Sequence, residues 1–445
     1  MPYPIWHTHT GMRSFLKEPL TIVGGSGPFL IDTQGKKYIN GFGGLSLSLG
    51  LSHPALQEEI EAQAKILAYT PLFRMANQAA LDLADDLVRV SPQHLTRVVF
   101  SNSGAEAVEA AIKIARDYFA LQGRAGKRQI VTLEGSYHGC TFGTLAASAI
   151  YEGEYDEAYG LDTSGFLRIA SPYCYRCPFG REPRSCGLEC ADSFAALIAA
   201  KGADSIAALV VEPVLAAAGV LKPPPGYLDR LAQACRRHDI LFIADESATG
   251  FGRTGTLFAV EQSAVDPDML VLSKAINGGY LPIAATLVTE KLFAPFFEAD
   301  RPLVHGCSQA GNALAARAAS AALRIFERER VLESSYVVAE QLTVGLRKLT
   351  EFPFVGDVRT AGMMFAIELV RDRSTREPLR TEVVYELFRD IQRRGLILNA
   401  KKNRLVFFPP LNLPSEVAGA ALTILRDAFN AFDCEPLLAP SEVIQ

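Results

Sequence analysis

The chain has 445 residues, 49% hydrophobic and 21% charged, a composition that excludes disordered and fibrous chains and leaves room for about two or three packing units. Its 44 lysines and arginines against 49 aspartates and glutamates give a net charge of -5, so no basic field holds nucleic acid, and small molecules or proteins are the expected partners. No uninterrupted apolar run approaches the roughly 20 residues that a bilayer-spanning helix needs. The opening segment MPYPIWHTHTGMRSF lacks the pattern of a secretory signal, so a cytoplasmic location with reduced cysteines is expected.

The first 45 residues read as an arm: His7 to Met12, then a hairpin with turns at Gly24 to Gly27 and at Gln34 to Lys36. From about residue 50 to 304, amphipathic helical patterns alternate with short apolar runs at 97–100, 129–132, 207–211, 240–244 and 269–272. That alternation predicts parallel strands buried between helix layers, a doubly wound α/β core. Beyond residue 311 the pattern changes. An Ala-rich helix is predicted over 312–329, further helices over 338–350, 383–394 and 415–429, and strands over 363–370 and 405–408. Helices beside a few strands predict a smaller α+β domain. Neither a repeat nor a low-complexity linker separates the parts.

Four pieces of the chain carry chemistry. The apolar run 270–272 ends in Ser273 and Lys274, followed by small residues; Lys274 reads either as a surface lysine past a strand end or as a desolvated amine able to form a Schiff base. A second buried run delivers Asp245 and Glu246 to its C-terminal edge, where open parallel sheets place ligands, although strand-terminal acids also serve as plain loop caps. Ser103, Gly104 and Ala105 open a helix predicted over 108–119, and can aim free N–H groups and a hydroxyl at a phosphate or simply cap the helix. Tyr137, His138 and Gly139 suit the cover of a flat heterocycle, or ordinary core packing. Taken together, an amine for a Schiff base, an acid for a pyridinium nitrogen, a phosphate cradle and a stacking ring are the requirements of pyridoxal 5'-phosphate.

The chain resembles the class III (ω-) aminotransferases, pyridoxal-phosphate enzymes of fold type I. The resemblance rests on residues 101–113, Tyr137 to Gly139, Val211 to Pro213, Asp245 to Gly255, Ser273 to Gly279, His305-Gly306 and Gly311-Asn312, and runs from Trp6 to about Pro414. It implies an arm and part of the small domain over 1–45, a large cofactor-binding domain over 46–310 and a small domain over 311–445. It implies that Lys274 anchors the cofactor covalently, that Asp245 pairs with the pyridine nitrogen, and that Tyr137 stacks on the ring. His138 and Glu212 would belong to the cofactor site, Ser103 to Ala105 would bind phosphate, and Ser308 would reach the phosphate of the neighbouring subunit. A homodimer with shared active sites follows, using an amine donor and a keto-acid acceptor. No metal is expected in catalysis.

Several features depart from that pattern or mislead. Gly250, Gly252 and Gly255 fit G-x-G-x-x-G, but residues 245–249 separate them from their strand and residues 256–260 open no convincing helix, which argues against a dinucleotide site. Cys174, Cys177, Cys186 and Cys190 are spaced for a structural zinc, for packing as reduced thiols or for a redox pair. Ser46 stands where many relatives carry Trp, and Ser247 and Ala248 replace larger residues beside the ring. The arginines that relatives use for a carboxylate correspond to Val406 and Asn399, and the glutamate that gates one of them to Ala217; Lys401, Lys402 or Arg404 could substitute, or be solvated loop charges. The expected donor is a primary amine, an ω-amino acid or an amino sugar, and the acceptor a keto acid such as pyruvate or 2-oxoglutarate. The alternatives are a class III lyase or epimerase acting on an amine, and a non-catalytic scaffold, which would need neither Lys274 nor Asp245.

Overall fold

The computed structural model describes residues 3–432; residues 1–2 and 433–445, which include Cys434 and the end of the expected small domain, lie outside the described residues. At its centre is a seven-stranded sheet in the order Leu95–Ser101, Ala284–Thr289, Met269–Leu272, Leu241–Asp245, Ile206–Val211, Gln129–Leu133, Phe166–Ile169. Every pairing is parallel except those of Ala284–Thr289, which runs antiparallel to both neighbours.

Side-chain alternation explains why the three middle strands read as continuous apolar runs. Leu209, Val211, Phe242, Ala244, Leu270 and Leu272 pack into the core on one face. Ala208, Val210, Leu241, Ile243, Met269 and Val271 pack into the core on the other, against Ala107, Val108, Ala111 and Ile112 of the helix Gly104–Leu121. With both faces covered, the only polar position along these strands is Asp245, at the C-terminal end of its strand.

A separate apolar cluster joins the helices Val331–Arg347, Thr381–Arg393 and Ser415–Ala431 to an antiparallel sheet of Val355–Ala361, Met364–Asp372, Arg404–Phe407 and Asn399–Lys401. The helix Ala313–Arg328 serves both clusters: Ala315, Ala316 and Ala319 face the large sheet's core, while Ala318, Ala321 and Ile325 face the second. Alanine on both sides lets this helix lie close to two layers at once.

The structure adds to and adjusts the predicted elements. The arm is a three-stranded meander, Ile22–Ser26, Phe29–Asp32 and Lys37–Asn40, whose last strand pairs in parallel with Leu396–Ile397. Gly24 and Gly25 lie within its first strand, not in a turn; the tight turn falls at Gly27 and Pro28. The helix predicted over 338–350 starts earlier, at Val331, and the helix predicted over 108–119 starts at Gly104. After the G-x-G-x-x-G run only a short 3-10 turn, Ala259–Gln262, forms. No helix among the described residues is long and apolar enough to cross a membrane.

Within the G-x-G-x-x-G run, Arg253 is completely buried. Its guanidinium donates to the Pro409 carbonyl at 2.6 Å, the Met363 carbonyl at 3.3 Å and the Gly44 carbonyl, tying the arm's end and the small sheet to the large-sheet loop. Burial pushes its pKa down to about 9. Replacing Arg253 with methionine strands three buried acceptors at about 1–3 kcal/mol each. The expected result is a thermal midpoint lowered by about 5 °C or more with the far-ultraviolet circular dichroism unchanged below the transition; a shift under 1 °C contradicts the assigned role.

Candidate active site

The strands ending in Asp245 and Leu272 are parallel neighbours, with Asp245 opposite Val271. Their C-terminal ends therefore deliver Asp245 and Lys274 to the same edge of the sheet, the edge where α/β sheets bind ligands. Lys274 follows its strand in a left-handed conformation, φ 43°, rare for a side chain of its size, at the head of the short turn Lys274–Asn277. The two charged groups act on one another electrostatically.

Asp245 is buried and accepts from Ser247 N at 3.1 Å, while its other oxygen lies 2.8 Å from His138 Nδ1. Burial alone would raise the carboxyl, but the hydrogen bond and charge of His138, with Ser247 and Lys274, hold it below its ordinary value. His138 is fixed in turn by its own N–H, which donates to Ser148 Oγ at 2.8 Å. Lys274 is pushed down by burial, against the pull of Asp245 and Glu212. The other acid of the pair serves the local backbone instead: Glu246 accepts from Ala259 N, Val260 N and Thr249 Oγ1, each at 2.8 Å.

Glu212 follows the strand Ile206–Val211 and accepts from Tyr137 N at 2.8 Å, which fixes the turn that carries Tyr137 and His138. Burial and the nearby Asp245 raise its carboxyl to about 7, against His138 and Lys274. Tyr137 is raised as well, first by burial and then by Cys140, whose thiol lies 3.3 Å from its hydroxyl.

The helix start closes the fourth side. A Cβ at Gly104 would stand 3.2 Å from Ser247 Oγ and 3.4 Å from Ser273 Cβ, and one at Gly139 would collide with Ala105. Ser103 to Ala105, Tyr137 to Gly139, Asp245 to Ser247 and Ser273-Lys274 therefore converge on one place. The Ser103 hydroxyl accepts from Glu106 N at 3.2 Å as the helix cap, and the N–H groups of Gly104 and Ala105, which no helix can satisfy internally, stand where an anion could meet them. Buried Ser247 Oγ, Asn102 Oδ1 and His138 Nε2 have no hydrogen-bond partner among the described residues. A phosphate-bearing heterocycle suits this set: a positive helix end, an ionised acid for a ring nitrogen and an amine for its aldehyde.

The chain matches the family described as Aminotransferase class-III over residues 13–429. The chain is a class III aminotransferase. This aminotransferase is 41% identical over 439 residues to an adenosylmethionine-8-amino-7-oxononanoate aminotransferase of Nitratidesulfovibrio vulgaris, covering 96% of this chain and 80% of the relative. It superposes on an amine transaminase of an uncultivated Pseudomonas species in the PLP-bound form with a TM-score of 0.93, 33% identity, and coverage of 97% of this chain and all of the other. It also matches an (S)-enantioselective omega-transaminase of Thermomicrobium roseum, with a TM-score of 0.92, 33% identity and 95% of each chain covered. The enzyme is thus a pyridoxal-phosphate-dependent transaminase of α/β fold.

Other positions marked in the sequence lie outside the convergence. Ser308 is exposed; its carbonyl accepts from Tyr69 Oη at 2.9 Å, and its hydroxyl makes no hydrogen bond among the described residues. The cysteines at 174, 177, 186 and 190 are free thiols that line one small cavity with Pro172 and Pro183. Burial lifts the Cys174 thiol and pushes Cys190 up to about 11, conditions that keep a thiol protonated and packed. Among the described residues no three His, Cys, Asp or Glu side chains are grouped to hold a metal ion. Residues not singled out in the sequence, Ser148, Tyr151 and Cys140, also shape the site; isolated small or aromatic residues in a loop carry no periodic signal that would mark them.

His138 keeps Asp245 ionised. In His138→Leu the carboxyl loses that partner and its pKa rises, so the acidic limb of the kcat against pH profile moves to higher pH and activity near pH 6 falls about tenfold or more. An unmoved acidic limb excludes the pairing from catalysis.

Proposed function

We propose that this aminotransferase takes its amino group from a primary amine, ω-amino acid or amino-sugar-like donor and passes it to a small keto acid such as pyruvate or 2-oxoglutarate. The observation that carries the donor class lies on the small-sheet hairpin. Asn399 and Val406, which correspond to the arginine positions of relatives, are cross-strand partners. Val406 is buried in an apolar cluster with Val214, Ala216, Val220 and Phe408, and Leu45 and Ala248 pack against it. Such a wall receives a hydrocarbon group and leaves a carboxylate without a partner.

When bound, pyridoxal phosphate supplies the electron sink on which an amine exchanges with a carbonyl. In this reading Asp245 holds a proton on the ring nitrogen, and His138 keeps Asp245 ionised for that purpose. Tyr137 covers the ring, and its own position depends on Glu212. Lys274 would hold the cofactor through its amine, whose lowered pKa would suit it to take and return a proton at the substrate carbon. Ser103, Gly104 and Ala105 hold the phosphate. The free thiols of the described cysteines suit a reducing cytoplasm.

A second copy of the chain completes the site. Around Ser308 the surface is apolar: Tyr69 bonds its carbonyl, Phe73 lies beside Gly306, and Phe73, Met75 and Val304 are 59%, 55% and 81% exposed. A patch of this kind is normally covered by protein, and covering it with its own copy brings Ser308 toward the partner's cradle.

A panel of amines added to the yellow holoenzyme tests the donor class. Aromatic or aliphatic primary amines should bleach the cofactor's visible band, and borohydride should fix the cofactor to the peptide containing Lys274 in the wild type but not in Lys274→Ala. Bleaching by α-amino acids alone, or ammonia release without acceptor, overturns the reading. For the assembly, ultracentrifugation should show a dimer that Phe73→Asp with Met75→Asp weakens by about tenfold or more in dissociation constant, with parallel loss of retained cofactor; a monomeric wild type with full cofactor content refutes it.

A further inference from the structure

Three cations, Lys401, Lys402 and Arg404, stand on the hairpin of Asn399–Lys401 and Arg404–Phe407. Two are already engaged. Lys402 is exposed and pairs with Glu154 at 3.1 Å. The Arg404 guanidinium donates to the Ala218 carbonyl and sits in the field of Tyr173, Glu368, Arg359 and Arg176. Lys401 has no carboxylate at ion-pair distance among the described residues; its Nζ lies 4.1 Å from the centre of the Tyr151 ring.

Tyr151 connects Lys401 to the cofactor side of the site. Its ring meets Tyr137 edge-on with centroids 6.4 Å apart. Its hydroxyl lies 3.1 Å from His9 Nδ1, the other nitrogen of His9 lies 3.5 Å from Cys140 Sγ, and Cys140 returns to the Tyr137 hydroxyl. The arm, the Tyr137 turn and the small-sheet hairpin thus meet around one half-buried ammonium. A partly desolvated cation beside two like charges, with no carboxylate of its own, lowers its energy by taking an anion.

We propose that Lys401 receives the carboxylate of the keto-acid acceptor, with Tyr151, His9 and Cys140 as the wall along which the acceptor lies toward the Tyr137 ring. The assignment rests on the aminotransferase reading above and adds to it the group that discriminates acceptor from donor. It reconciles an apolar wall at Val406 with a substrate that must carry a negative charge: the hydrocarbon of the donor and the carboxylate of the acceptor use different ends of one hairpin. Burial, then the charges of Arg404 and Lys402, push the Lys401 ammonium down to about 8, with Glu154 and Cys140 pulling the other way. Tyr151 is pushed up by burial and stays neutral across that range. The ammonium is therefore charged below pH 8 and loses its hold on an anion as pH rises through that value.

The test compares wild type, Lys401→Met and Lys401→Arg holoenzymes. With pyruvate as acceptor, Lys401→Met should raise KM about 10- to 100-fold, the worth of a charge-assisted hydrogen bond, with kcat changed far less. Bleaching of the cofactor band by an uncharged-side-chain primary amine should change little, and Lys401→Arg should restore the pyruvate KM. Calorimetric binding of propionate, which cannot react, should weaken in Lys401→Met by the same factor. In the wild type it should fade above about pH 8, and in Lys401→Arg persist to higher pH. An unaltered pyruvate KM and propionate affinity in Lys401→Met overturns the proposal, as does a parallel fall of both half-reactions or a pH break that Lys401→Arg leaves in place. Failure of the amine half-reaction in the wild type would count against the aminotransferase reading alone, because propionate binding reports on Lys401 without turnover.

Discussion

Taking Asp245 and Lys274 out of water at the ends of adjacent strands is the constraint from which the site follows. Burial drives both groups toward their neutral forms, raising an acid and lowering an amine. The chain lets this happen to one and prevents it for the other. His138, 2.8 Å from Asp245 and itself secured by Ser148, reverses the effect of burial on the acid, whereas Lys274 stays lowered. A persistent negative charge beside an amine that readily gives up its proton is the combination that proton transfer next to a pyridinium requires. Neighbouring parts serve this pair: Glu212 positions the turn that bears His138, and Gly104 is small because Ser247 and Ser273 press against it.

The sequence exposed this arrangement unevenly, for physical reasons. Apolar runs between helical patterns made five of the seven strands of the large sheet readable; the edge strand Phe166–Ile169 is half-exposed and carries Arg168, and Ala284–Thr289 breaks its apolar run with the buried Thr286. Val355–Ala361 escaped because Gly356, Asp357, Arg359 and Thr360 interrupt its apolar pattern. Lys274, Asp245 and the Ser103 helix start stood out because each follows a strand or opens a helix. The choice of Asp245 over Glu246 came from the family resemblance and not from the strand pattern, which presents both acids alike; the physical reason lies in tertiary structure, where the backbone of Ala259 and Val260 claims Glu246.

The proposed acceptor site was the least legible part, because it is assembled from segments far apart in the chain. His9 comes from the arm, Cys140 and Tyr151 from the loop after Gln129–Leu133, and Lys401 from the small sheet. Three basic residues within four positions look alike in sequence; folding commits one to a backbone carbonyl and one to Glu154, and sets the third over the Tyr151 ring. Arg253 shows the same logic at a larger scale, as a buried cation satisfied by three carbonyls from separate segments.

The single antiparallel strand has a consequence for biosynthesis. Leu95–Ser101 touches no other strand of its sheet except Ala284–Thr289, so as the polypeptide leaves the ribosome this early strand stays unpaired until the late one emerges. Once Met269–Leu272 has emerged the nascent sheet presents its edge alongside that of Leu95–Ser101, and the two are then closed together by one insertion. Long-range closure of this kind is slow and invites association between unfinished chains. Yield of this protein in a cell should therefore depend on chaperone supply during translation of its first 290 or so residues more than on the stability of the finished fold.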